Sequence, residues 1–214
     1  MSDALFERAI DAIVTGNAAQ ALEVAKEGLA EGIDPLKLLD QGFIPGINKV
    51  GDLFGSGRLF LPELVMSANA MEGVTALVNE SMPSDQEQNR GRLVIATVEG
   101  DVHDIGKTIV VSLMKANGFD VLDLGRDVAV PRLIEEADKF DAHIIGTSAL
   151  LTTTMGAQKQ LEEELTAAGL KDRFKTMVGG APVTQRWANR IGADGFAEDA
   201  GEAVRKAKTL LGIG

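Results

Sequence analysis

The fold of this chain is decided by residues 98–107, which read Val98-Glu99-Gly100-Asp101-Val102-His103-Asp104-Ile105-Gly106-Lys107. The apolar run at residues 93–98 predicts a buried strand, and residues 106–117 have the pattern of a helix. The stretch is therefore predicted to contain a loop at the carboxyl end of a strand. Open parallel sheets bind their ligands at such loops.

The loop carries His103, one of only two histidines in the chain, with Asp101 and Asp104 on either side of it. An imidazole beside a carboxylate forms either a metal ligand with a fixed tautomer or a general base. The residues of this loop alone leave both interpretations open.

Composition limits the classes of protein that this chain can belong to. With 214 residues it forms one large domain or two small ones, and at 45% hydrophobic but only 4% aromatic residues its core is aliphatic. A net charge of -11 argues against nucleic acid and anionic membranes as partners. The absence of cysteine excludes disulfides, iron–sulfur clusters and thiol nucleophiles. With no apolar run of about 18 residues and no signal peptide, we expect a cytoplasmic protein.

Residues 1–82 are predicted to form a small bundle of four helices. Apolar residues recur at helical spacing, and Gly16 and Gly32 mark the ends of the first two helices. Pro35 and Pro62 lie at helix starts, whereas Pro45 falls inside the third helix and should interrupt it.

Residues 83–92 are polar, contain Pro and Gly, and are interpreted as a linker to a second domain at 93–214. In that domain five strand patterns alternate with helix patterns, which predicts an open parallel sheet of flavodoxin-like order with helices on both faces. The predicted strands are 93–98, 119–124, 142–147, 174–178 and 194–197, and the predicted helices are 106–117, 130–139, 153–168, 184–191 and 200–212.

Three unusual loops are predicted to meet at one edge of this sheet. They are residues 101–106 after the first strand, the hydroxyl-rich residues 146–154 after the third, and residues 178–182 with paired glycines after the fourth. In the flavodoxin-like order the first and third strands flank the point where the chain reverses direction across the sheet. A ligand site is therefore expected there.

Several common sites fit this edge poorly. A receiver domain needs an aspartate at the end of the third strand, where this chain has Thr147-Ser148. A phosphate-binding loop is a near miss, because Gly100 lies one residue too far from Gly106. A triad of Ser148, His103 and Asp101 can be drawn, but Ser148 sits in no strained nucleophile elbow. A zinc site would need ligands beyond His103 and His143.

The motif Asp101-x-His103-x-x-Gly106, followed by Ser148-x-Leu150 and Gly179-Gly180, resembles the signature of cobalamin-binding domains. Residues 50–63 resemble the cap module that precedes the cobalamin domain in methionine synthase and in small corrinoid proteins of methyltransferase systems. The resemblance implies an α/β chain with an N-terminal helical bundle cap, followed by a flavodoxin- or Rossmann-like domain with a five-stranded parallel sheet.

The resemblance also implies roles for individual residues. His103 would be the lower axial ligand of cobalt, Asp101 would accept its other ring N–H, and Ser148 would extend that relay. Gly106 would leave room for the nucleotide tail of the cofactor. The remaining implied cofactor-binding residues are Asp104 and Ile105 in the histidine loop, Leu150, Thr152, Gly179 and Gly180 along the tail pocket, and Phe60 and Leu64 in the cap. His143, at a strand entry, is interpreted as structural.

The implied function is that of a non-catalytic corrinoid protein carrying a methyl group on cobalt. Its partners would be a substrate-specific corrinoid methyltransferase, a second methyltransferase with a folate or thiol acceptor, and a reductive activator. Methylamines, betaine, methanol and methoxyarenes are all donors served by similar carriers. The alternatives are the cobalamin-binding subunit of an adenosylcobalamin-dependent mutase and a cobalamin-based sensor.

Overall fold

A computed structural model describes residues 2–81 and 91–213 of the chain. The described residues group into two compact units, one drawn from Met1–Asn89 with Lys115–Gly118 and one from Arg90–Met114 with Phe119–Gly214. The linker predicted at 83–92 lies outside the described residues except for Gly91 and Arg92. Arg92 already opens the first strand, so that end of the prediction is one residue too long.

The first unit is helical, as predicted. Its helices are α1 (Ser2–Val14), α2 (Ala18–Ala30), α3 (Pro35–Leu38), α4 (Ile44–Gly55) and α5 (Leu61–Glu80), with a π-helical turn at Leu39–Phe43. Asn17 and Asp34 cap α2 and α3 by accepting backbone N–H bonds, and the Glu63 carboxylate accepts the Phe60 N–H at 2.7 Å where α5 begins. No helix within residues 2–81 and 91–213 is long and apolar enough to cross a membrane.

The third predicted helix is interrupted, but not at Pro45 itself. The π-helical turn Leu39–Phe43 comes directly before α4, and Pro45 lies in the first turn of α4. Close packing fixes this region, since a β-carbon on Gly46 would lie 2.9 Å from Cβ of Ile13 in α1.

The second unit is a five-stranded parallel sheet with strand order β2-β1-β3-β4-β5, the flavodoxin-like order predicted from the sequence. Each strand except the last is followed by a helix that leads to the next strand. The strands are β1 (Arg92–Thr97), β2 (Asp120–Asp123), β3 (Ile144–Ser148), β4 (Lys175–Gly179) and β5 (Gly195–Phe196). The helices are α6 (Ile105–Ala116), α7 (Val130–Lys139), α8 (Gly156–Ala167), α9 (Gln185–Ile191) and α10 (Ala200–Leu211).

The register of the sheet aligns the ends of its three central strands. Thr97 of β1 is opposite Ser148 of β3, and Ser148 is opposite Gly179 of β4. A mostly aliphatic core packs against the sheet and includes Leu133 of α7 and the buried ring of Phe174, with Phe140 packed against it. The loops after β1, β3 and β4 therefore emerge side by side from a rigid edge.

Candidate functional site

Asp101 is completely buried in the loop that follows β1 and accepts five hydrogen bonds. Its Oδ1 accepts the backbone N–H of His103 at 3.1 Å and lies 2.7 Å from Nδ1 of the His103 ring. Its Oδ2 accepts the N–H groups of Leu150 and Leu151 at 2.8 and 3.2 Å and the Thr154 hydroxyl at 2.8 Å. One carboxylate thus joins the loops after β1 and β3.

The protonation of this pair follows from its surroundings. Burial alone would raise the pKa of the Asp101 carboxyl, but the hydrogen bonds from His103, Leu150 and Thr154 outweigh burial and hold that pKa well below its usual value. Ionised Asp101 has no proton to donate, so Nδ1 of His103 carries the shared hydrogen. The other ring nitrogen, Nε2, belongs to a side chain that is 47% exposed. This geometry suits a neutral imidazole that binds a metal or accepts a proton.

The hydroxyl that reaches Asp101 belongs to Thr154, and not to Ser148 as the sequence analysis expected. Ser148 is the last residue of β3, where its carbonyl accepts the N–H of Val98. The Thr154 hydroxyl is 2.8 Å from Asp101 and 2.9 Å from the carbonyl of Leu151. Its single proton goes to the carboxylate, because charged acceptors form the stronger bond.

Apolar side chains are exposed beside His103. Val102 and Ile105 flank it in the chain and are 60% and 70% exposed, while Leu150 and Leu151 are 41% and 42% exposed. We call these four residues the apolar rim. A cluster of exposed apolar side chains around a polar group is typical of a ligand-binding surface.

Two glycines of the predicted motif differ in how closely other atoms pack around them. Gly180 has φ +120, and a β-carbon there would lie 1.9 Å from the carbonyl oxygen of Ala149, so the loop after β4 touches the loop after β3. Gly106, in the first turn of α6, has no atom within 4 Å of the place where a β-carbon would be. The packing of the protein requires glycine at Gly180 and leaves open space at Gly106.

Asp127, which the sequence analysis missed, stabilises the loop after β1 that carries His103. Its carboxylate accepts the N–H of Gly100 at 2.7 Å, and its own N–H donates to the carbonyl of Asp101 at 3.0 Å. It has φ 55, a left-handed conformation that Asp tolerates better than most residues. Its neighbour Arg126 lies 3.9 Å from the carboxylate of Asp104, one of the predicted binding residues.

Replacing Asp127 with alanine is expected to lower the free energy of unfolding by about 1–2 kcal/mol, because the Gly100 N–H loses its acceptor and a left-handed residue loses its local bonds. Asparagine keeps an oxygen acceptor and tolerates the same conformation, so Asp127→Asn should remain near wild type. Urea unfolding followed by circular dichroism measures both. Equal losses in the two variants would show that the negative charge, and not the hydrogen bond, matters at this position.

His143 behaves as the structural residue that was predicted. It lies just before β3, and its Nδ1 accepts the N–H of Arg92 at 3.0 Å. Burial and the neighbouring Arg92 lower the pKa of the His143 ring, which keeps it neutral.

The two predicted cap residues differ in the structure. Phe60 is 69% exposed, so its ring is available to a ligand, and its role stays a prediction. Leu64 is fully buried, so it presents no surface in this structure, and its role as a ligand contact stays a prediction. The exposed apolar residues near the start of α5 are Phe60, Leu61, Val65 and Met66. In the other unit, Thr152 lies exposed in the turn between β3 and α8.

The chain matches known families over both of its units. Residues 91–205 match the family described as B12 binding domain, and residues 5–79 match a second family with the same description. Trimethylamine corrinoid protein 2 of Methanosarcina mazei is 47% identical over 91% of this chain and 90% of its own length. The chain belongs to the B12-binding corrinoid proteins. Dimethylamine corrinoid protein 3 of Methanosarcina acetivorans is 46% identical over 98% of both chains.

Solved structures agree with this family membership. A cobalamin-binding protein from Desulfitobacterium hafniense superposes with a TM-score of 0.82 at 28% identity, over 96% of this chain and 98% of the other. The methanol:cobalamin methyltransferase complex of Methanosarcina barkeri matches with a TM-score of 0.81 at 32% identity, over 99% of this chain and 81% of that chain. This corrinoid protein is a non-catalytic methyl carrier of a methyltransferase system with cap and B12-binding modules, and its cofactor is a cobalt corrinoid.

Proposed function

We propose that this corrinoid protein binds cobalamin and that Nε2 of His103 would hold its cobalt. We also propose that it carries a methyl group from a methylamine-specific methyltransferase to a second methyltransferase with a folate or thiol acceptor. The observation that carries the first proposal is the 2.7 Å contact between Oδ1 of buried Asp101 and Nδ1 of half-exposed His103, which orients the ring and leaves Nε2 as the ring nitrogen that can bind a metal. The bound corrinoid supplies a cobalt centre that accepts and releases methyl groups.

The residues around His103 fit such a group. A metal held in a macrocycle needs few ligands from the protein, and His103 offers one nitrogen. The apolar rim provides hydrophobic surface beside that nitrogen. The open space at Gly106 gives the nucleotide tail a place to pass α6, and the loops at 149–152 and 179–180 are proposed as the walls of its pocket.

Asp101 has two roles in this proposal. It orients the His103 ring through the 2.7 Å contact at Nδ1, and its charge raises the basicity of Nε2. Thr154 and the N–H groups of Leu150 and Leu151 stabilise that charge, so the shared proton stays on Nδ1. We therefore assign to Thr154 the relay position that the sequence analysis gave to Ser148.

Isotope labelling tests the axial ligand directly. Protein grown with ¹⁵N-histidine is loaded with unlabelled cobalamin, which is then reduced to the cobalt(II) form and examined by electron paramagnetic resonance. A ¹⁵N ligand splits each cobalt line into a doublet, and the cofactor's own ¹⁴N base splits it into a triplet. We expect doublets. Triplets would show that the cofactor keeps its own base, and failure to retain cobalamin would overturn the proposal.

The methyl donor is proposed from the relatives. Proteins named for trimethylamine and dimethylamine are 44–47% identical to this chain, whereas the methanol complex reaches 32%. We therefore expect the loaded protein, with its reductive activator, to be methylated by a methylamine methyltransferase and its amine. Methanol, glycine betaine and methoxyarene systems serve as controls. Methylation only by one of those would contradict the methylamine assignment and leave the carrier role intact.

The two motif glycines give a matched pair of variants. Gly180→Ala is expected to lose about 2 kcal/mol of unfolding free energy, since its β-carbon would overlap the Ala149 carbonyl. Gly106→Ala should keep full stability, but it should bind cobalamin more weakly because it fills the space proposed for the tail. Thermal unfolding and equilibrium dialysis measure the two effects. Unchanged cobalamin affinity in Gly106→Ala would show that the tail does not pass this point.

A further inference from the structure

Gln158 of α8 joins three separate segments of the B12-binding unit. Its side chain is fully buried, and its Nε2 donates to the carbonyls of Thr147 and Gly179 at 3.3 and 3.2 Å. Its Oε1 accepts the indole N–H of Trp187 in α9 at 3.0 Å. We call Gln158 and Trp187, with the carbonyls of Thr147 and Gly179, the Gln158 clamp.

The orientation of the clamp follows from the chemistry of its members. An indole N–H can only donate and a carbonyl oxygen can only accept, so the amide of Gln158 has one satisfactory orientation. Trp187, the single tryptophan of the chain, is half-buried against a core cluster that includes Val183 and Ile191. The packed ring therefore fixes the glutamine.

The clamp lies directly behind the proposed tail pocket. Thr147 is the second-last residue of β3 and Gly179 is the last residue of β4, so both lie just before the loops that follow these strands. The carbonyl of Gly179 also accepts the N–H of Ala149 at 3.1 Å. Three residues beyond Thr147 comes Leu150, and directly after Gly179 comes Gly180. Both are proposed pocket residues, so Gln158 adds side-chain hydrogen bonds to the two paired strands just before the proposed pocket walls begin.

We propose that Gln158, held in place by Trp187, is a positioning residue that sets the width of the pocket for the nucleotide tail of the corrinoid. This inference rests on the proposed function, because it assumes that a tail enters between these loops. The inference assigns binding of the corrin ring and binding of the nucleotide tail to different residues. The corrin ring depends on His103 with Val102 and Ile105 beside it, whereas the tail depends on the Gln158 clamp.

Comparison of cobalamin with aquacobinamide, a corrinoid without the nucleotide tail, tests the inference. Dissociation constants of both are measured by equilibrium dialysis for the wild type, Gln158→Leu, Trp187→Phe and Gln160→Leu. Gln160 is exposed on the same helix and bonds only to Glu164 among the contacts seen, so its variant controls for the change of residue type. We expect Gln158→Leu to weaken cobalamin binding about tenfold, the effect of one or two lost buried hydrogen bonds. Cobinamide binding should stay unchanged.

Trp187→Phe keeps an aromatic ring and removes the N–H donor together with part of the indole, so it should weaken cobalamin binding in the same selective way by a smaller factor. If Gln158→Leu does not fold, the Trp187→Phe variant tests the positioning role in its place. Equal weakening for cobalamin and cobinamide, or no weakening of either, would overturn the positioning role and leave the proposed function standing. A wild-type protein that binds neither corrinoid would instead overturn the proposed function.

Discussion

The His103→Ala variant is expected to lose the absorption spectrum of histidine-ligated cobalamin completely while keeping its fold. His103 has a 47% exposed side chain, and its ring bonds to the protein at one atom, Nδ1, so its removal leaves no large cavity. In the variant the lower position of cobalt would be taken by water or by the cofactor's own base. The measurement is the spectrum of protein incubated with hydroxocobalamin after free cofactor has been removed.

The second histidine of the chain provides the matched control. His143 accepts the N–H of Arg92 before β3, and glutamine can accept the same bond, so His143→Gln should bind cobalamin with the wild-type spectrum. An unchanged spectrum in His103→Ala would contradict the assignment of His103 as the cobalt ligand. Loss of the spectrum in both variants would point to a general loss of structure.

The Asp101→Ala variant is expected to lose about 4 kcal/mol of unfolding free energy, because several buried N–H and O–H donors lose their acceptor at once. The carboxylate also holds together the loops after β1 and β3, so the variant should show weakened histidine ligation. Urea unfolding at neutral pH measures the first effect, and the cobalamin spectrum measures the second.

Asp172→Ala is the control for this loss of a carboxylate. Asp172 is exposed in the turn after α8, and surface substitutions of this kind change stability by less than about 0.5 kcal/mol. If Asp101→Ala were as stable as Asp172→Ala, water would be replacing the carboxylate, and Asp101 would not be what fixes the two loops.

Most of the fold could be predicted because its signals are local. The bounds of α7 were predicted to the residue, since its apolar spacing and its proline boundary lie within the segment itself. The strand order followed from the size of the α/β domain and its five repeated units. The turn at 151–155 shortened α8 by three residues, because helix periodicity does not show where hydrogen bonding begins.

Part of the candidate site could also be predicted from local sequence signals. Asp101 and His103 are two residues apart, and their spacing already predicts an imidazole held by a carboxylate. Gly180 was predicted to line the pocket for the tail, which stays a prediction, and the structure shows that its backbone packs against Ala149.

By itself, the sequence determined the α/β class, the strand order, the Asp101–His103 pair and the resemblance to corrinoid proteins. Only the tertiary structure decided which hydroxyl reaches Asp101, that Leu64 is buried where Phe60 is exposed, and that Asp127 and Gln158 brace the loops. These contacts join residues 11 to 53 positions apart, or depend on the rotation of a helix against its neighbours. Periodicity and motif spacing describe one segment at a time, whereas such contacts exist only after the segments have packed together.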